Sequence, residues 1–192
     1  NPLVKQFGWA TLVGKYTKRK YQLLKNKMAG TTDPQEELLT QVDENNKVVG
    51  SISRKVAHNS PGVHYRTIYI LVKNDKGEVL IQKRSSTKDL YPNCWDISVG
   101  CHVNFNKSYL ETAVRELWEE LGLKVESEDL LLKGEVLVRL PKSNEYFNVF
   151  EYTLKPSDKI EADKDEIGST GWMKIEDIKK SMDNKSMTWY AR

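Results

Sequence analysis

Hydrophobic and polar positions in this chain mostly alternate in short runs, the two-residue period of half-buried strands, and switch once to a clear helical period. Leu38–Asp43 and Val48–Ile52 read as strands about the turn Glu44-Asn45-Asn46-Lys47. His58–Gly62 is a loop by its turn residues. Tyr65–Lys73 (YRTIYILVK) and Glu78–Arg84 (EVLIQKR) flank Asn74-Asp75-Lys76-Gly77, a hairpin signal. Lys88–Asn93 is a loop, and Trp95–His102 (WDISVGCH) is extended. Two further strands, Leu130–Leu140 and Tyr146–Leu154, surround the Pro141-Lys142-Ser143-Asn144 turn. An acidic loop at Asp158–Gly168 precedes a short strand, Trp172-Met173-Lys174, and a short helix, Ile175–Met182. Strands in runs with one strong helix among them indicate an α+β or three-layer arrangement.

The helical period lies at 107–121. At about 100° per residue, Leu110, Ala113, Val114, Leu117 and Leu121 gather on one apolar stripe, the core-facing side. Glu116, Glu119 and Glu120 share a second patch. Like charges at i,i+3 and i,i+4 repel, so three glutamates on one patch cost stability unless something positive joins them. Hard oxygen ligands on one face suit Mg2+ or Mn2+. The plain alternative is a solvated acidic face, which short motifs of this kind usually are.

Composition adds an asymmetry. The chain has 192 residues, room for one ordinary domain plus an appendage, with the division expected at 1–36 and 37–192. Residues 1–32 hold seven basic residues and no acid, leaving 23 basic against 27 acidic residues in the remainder. That basic arm, with Phe7, Trp9 and Tyr16 among its lysines, could bind nucleic acid or another acidic surface, serve as an organelle-targeting segment, or pack on the domain. No run approaches the 18 apolar residues of a membrane span. Cys94 and Cys101, about 23 Å apart if the segment between them is extended, are beyond disulfide reach. Free thiols and an intracellular, reducing compartment, cytoplasmic or organellar, are expected.

Arg115–Leu123 (RELWEELGL) matches, position for position, the R-E-U-x-E-E-x-G-U half of the Nudix signature, U being aliphatic. The stretch from Gly100 resembles the whole Nudix box, with departures in its front half. Cys101 stands at the first Gly, Lys107 at the first Glu, and Asn106 at the Gly usual before that Glu. Val42–Gly50, His64-Tyr65-Arg66, Gln82–Ser85, Lys88–Asn93, Trp95–Gly100 and Thr188-Trp189-Tyr190 are similar to segments of the type I isopentenyl-diphosphate isomerase branch.

The resemblance implies a Nudix fold, a mixed sheet between helices (α/β/α), and a hydrolase that splits a diphosphate from another moiety. It implies Glu116, Glu119 and Glu120 as metal ligands, Arg115 as the residue orienting them, and Glu166 as a further metal ligand or general base. For substrate, a small diphosphate, the residues offered are Lys83, Arg84, Arg139 and Glu145; Trp95, Tyr146 and Phe147 could stack on a base or simply pack. A Lys at 107 reverses a charge of the box, which raises a second reading, a catalytically weak phosphate-binding module. The third is the isomerase. There Gly100 stands where the catalytic Cys belongs and Ser143 at one essential Glu, while Glu145, His102 and His64 match and His58 is one residue out of register.

Overall fold

The computed structural model describes residues 33–139 and 143–190; the basic arm lies outside them. The strands are β1 (Leu38–Val42), β2 (Val48–Ser53), β3 (His64–Lys73), β4 (Val79–Arg84), β5 (Trp95–Ile97), β6 (Val99–His102), β7 (Leu131–Arg139), β8 (Asn144–Thr153) and β9 (Ile167–Met173). The helices are a single turn, α1 (Arg54–Ala57), then α2 (Tyr109–Leu121) and α3 (Ile175–Asp183). The centre is β3, antiparallel to β1 and β6 and parallel to β8 along its whole length. A second group, β5-β4-β9, is antiparallel throughout.

The two groups meet at a single pair, Lys73↔Val79. The hairpin signal is real, but its ladder stops at once, and Ser98 explains the split. Its hydroxyl donates to the Leu80 carbonyl (2.6 Å) and accepts the Val72 N–H (2.8 Å), standing in for the next rung. The extended stretch 95–102 is therefore divided there, β5 joining one group and β6 the other.

Alternation then sorts side chains onto two faces. Ile68, Ile70, Val72, Leu80 and Val99 pack under Ala113, Leu117 and Leu121 of α2. Leu71, Val79 and Ile81 face the other way, against Ile178 of α3, Trp95 and Trp189. Helices thus cover both faces of a mixed sheet, the three-layer arrangement expected. Trp95, Tyr146 and Phe147 are packing residues: Trp95 sits in the α3 cluster, Phe147 stacks on Tyr69, and the Tyr146 hydroxyl donates to the Glu44 carbonyl.

The packed unit also reaches ahead of residue 37. Asp33 is buried and accepts from Lys88 Nζ (2.6 Å) and the Asp89 N–H (2.8 Å).

Candidate active site

The glutamate helix is set by its ends. Ser108 and Glu111 form a reciprocal capping box, and Gly122 closes the helix in the left-handed conformation (φ 71°). The loop before it carries the departures from the signature. Asn106, at the place of the usual Gly, adopts a left-handed φ of 64°, which Asn tolerates better than most residues. Lys107 stands on the solvent side, its ammonium 3.3 Å from Glu111. Strand β1 clamps this loop: Thr40 N–H donates to the Val103 carbonyl, Thr40 Oγ1 to that of Asn104, and Phe105 N–H to that of Leu38.

Glu116 and Glu120 are 5% and 7% exposed. Arg115 pairs with Glu116 and, through Nη1, with Glu119 at 2.7 Å, while its Nη2 donates to Asn104 Oδ1. Gln82 Nε2, anchored on the Ser98 carbonyl, donates to Glu120 at 3.3 Å. The Cys101 thiol donates to Glu116 Oε1 at 3.0 Å. Burial and then the Glu116 charge push that thiol well above its ordinary value, so it is held protonated. For Arg115, the surrounding acids outweigh the downward push of burial and raise it. Among the described residues no three carboxylate, thiol or imidazole groups stand gathered as a ready ligand set. Arg115 supplies the positive charge on the patch.

Two residues join this site that the sequence reading missed. Glu37, from the turn before β1, has its carboxyl raised by burial and feels Arg54, Glu116 and Arg115. Nothing in the periodicity of that segment marks it. Gln82 was legible, because alternation from Leu80 carries it to the α2 face.

From Glu37 a buried file of alternating charges leads to Glu166. Arg54 Nη1 lies 3.9 Å from Glu37, and its Nη2 is 3.1 Å from Asp33 and 3.2 Å from Asp89. Lys88 Nζ bridges Asp33 and Glu166, at 2.6 Å from each. Glu166 is thus tied to Glu37 through a chain of ion pairs.

The substrate candidates disperse. Arg84 is buried, 3.5 Å from Asp96, donating to the Leu90 carbonyl and lying over the Tyr190 ring; it fastens a loop and the end of the chain. Lys83 alternates away from Gln82, toward the α3 side. Arg139 is exposed at the end of β7. Glu145, 2% exposed, accepts from Tyr65 (2.9 Å) and Thr67 (3.0 Å) on the sheet face opposite α2.

That opposite face holds what the isomerase reading needs, and it differs in three ways. Arginine can only donate, so Arg54 at 3.2 Å makes His102 Nδ1 an acceptor; His102 Nε2 then donates to His58 Nε2 at 3.1 Å. His64 points to the other face, beside Tyr146. Gly100 leaves no room for a thiol, since a Cβ there would meet the Tyr69 ring at 2.6 Å.

With this geometry, comparison with known proteins is unambiguous about kinship. The NUDIX domain pattern matches residues 63–192, and the chain belongs to that family. An uncharacterized Nudix hydrolase of Clostridium acetobutylicum is 29% identical over 159 residues, 79% of this chain and 76% of that protein. One from Pseudomonas aeruginosa is 38% identical over 88 residues, 46% of this chain. The chain spans about half the length of that relative and of another from Streptomyces coelicolor. The crystal structure of DR0079 from Deinococcus radiodurans superimposes with a TM-score of 0.67 at 24% identity, over 81% of this chain and 93% of that one, a likeness of fold.

Proposed function

We propose that the chain hydrolyses a small diphosphate linked to another moiety, a nucleoside diphosphate derivative or similar compound, using Mg2+ or Mn2+ held by Glu116, Glu119 and Glu120. The observation that carries the reading is the pairing of Glu116 and Glu119 with one arginine, Arg115, on the same helix that carries the buried Glu120. Hard oxygen donors in that number and charge fit a hard dication. When bound, the ion neutralises charge developing on the diphosphate oxygens and acidifies water.

The rest falls to the chain's own residues. Arg115 orients Glu116 and Glu119, and binding a cation requires it to yield part of those contacts. Gln82 fixes Glu120. Glu166 is the candidate general base, its carboxylate held in place by Lys88. Lys107, pointing to solvent, leaves the carboxylates their charge, which favours an active site over a retired one. Kinship to the isomerase-like branch is part of this reading. It rests on the similar segments Gln82–Ser85, Lys88–Asn93 and Trp95–Gly100, which include Gln82 and Lys88 of the site.

The test is phosphate release from nucleoside diphosphates, sugar nucleotides, dinucleotides and capped RNA, with and without Mg2+ or Mn2+. Glu119→Gln and Glu120→Gln are run beside the parent. Isopentenyl diphosphate is included with isomer ratio as its readout. Metal-dependent turnover lost in both variants supports the proposal. Ligand binding without any turnover would replace it with the phosphate-binding module.

A further inference from the structure

Strand β7 is a long edge. Among the described residues it pairs only with β8, and its outer backbone groups have no ladder partner. Such an edge is a template for another strand, and proteins usually blunt it. The one irregularity in β7 is a register shift between Leu132 and Gly134. From Glu135 to Arg139 the ladder to β8 is regular. Alternation puts Glu135, Leu137 and Arg139 on one face, with Val136 and Val138 on the other. Glu135, Val136 and Arg139 are exposed, Val136 by 50%.

We propose that β7 pairs antiparallel with β7 of a second copy of this chain, about a two-fold axis at Leu137. Residues directly opposite in an antiparallel pair share a face, so a face-matched symmetric register must centre on a residue. Centred at Leu137, Glu135 stands opposite the partner's Arg139, and symmetry makes that pair twice. Val136 stands opposite the partner's Val138, again twice, and Leu137 meets itself. Neighbouring registers fail on charge. An axis at Glu135 or Arg139 sets like charges against each other, and an axis at Val136 or Val138 sets a charge against Leu137. Opposite charges across a strand pair stabilise and like charges destabilise. The occupant is therefore a second copy: over the regular stretch from Glu135 to Arg139 the edge is complementary to itself in one register. Glu135 keeps room for this role, since the Asn46 amide donates to one oxygen (2.8 Å) of its exposed carboxylate. The arrangement also gives Arg139 a use other than substrate binding.

Sedimentation velocity on the full chain tests this, run up to roughly 300 µM because so short a ladder belongs to the weak end of interface sizes. The parent should show a concentration-dependent dimer. Glu135→Arg opposes arginine to arginine, and Arg139→Glu opposes glutamate to glutamate. Each alone should abolish the dimer, and the double variant, which restores the pairing in reverse, should bring it back. Circular dichroism melts confirm that all four proteins are folded. A parent that stays monomeric, a dimer that survives either reversal, or a double variant that fails to recover overturns the proposal.

Discussion

Replacing Ser98 by Ala would remove one oxygen and disturb both halves of the sheet. The hydroxyl is fully buried and is the partner of two backbone groups, the Val72 N–H and the Leu80 carbonyl. Neither strand offers the other a replacement where they stand, since their ladder ends at Lys73↔Val79. A buried polar group left without a partner costs about 1–3 kcal/mol. Two of them, less some relaxation, make a loss of about 3 kcal/mol, which in a chain of this size lowers Tm by about 6–12 °C. Urea unfolding followed by tryptophan fluorescence measures the loss. Hydrogen exchange at the Val72 amide localises it, because that N–H should lose protection ahead of its neighbours in β3. A loss below about 1 kcal/mol with Val72 still protected would refute the reasoning. It would show that β3 and β4 can zip together and that the serine merely occupies the gap.

The charged file makes its own prediction. Arg54→Met strands Asp33, Glu37 and Asp89 beside Lys88, and breaking a buried ion pair from one side costs about 3–5 kcal/mol. Against the upward push of burial, Lys88 and then Arg54 hold the Asp33 carboxyl well below its ordinary 3.8. A depressed acid lends stability above its unfolded value and loses it as pH falls through the folded one. Urea unfolding should therefore find the deficit full at pH 7 and narrowing as pH drops through and below 3.8; a deficit that widens on acidification contradicts the assignment. Gly100→Ala should cost about 1–3 kcal/mol by overpacking against Tyr69. A thermal melt unchanged from the parent would show that the ring can turn aside.

The helix of glutamates was legible because its periodicity is local: one stripe of aliphatics and one patch of acid, read off the spacing. So were most strands, whose alternation survives in the structure. What escaped depends on contacts across the chain. Ser98 looks like any strand serine until Val72 and Leu80 approach it. Arg84 reads as a cation at a strand end, and only the fold brings Asp96, the Leu90 carbonyl and Tyr190 around it. Glu37 lies in a turn, where no period says which way a carboxylate points. Asn106 is the opposite case: a departure in letters from Gly to Asn, the two residues that most readily take the left-handed backbone found there.

Strand β1 gives the molecule two different edges. The domain pattern of the family matches from residue 63, yet β1 clamps the loop ahead of the glutamate helix, and Leu39 fills a core pocket with Ala57 and Tyr65. Asp33, Glu37 and Arg54, all ahead of that match, are three members of the charged file that leads to Lys88 and Glu166. A fragment cut where that pattern begins would keep every letter of the signature and lose the scaffold that aims it. What is passed on as a motif and what folds as a unit are, in this chain, different lengths of polypeptide.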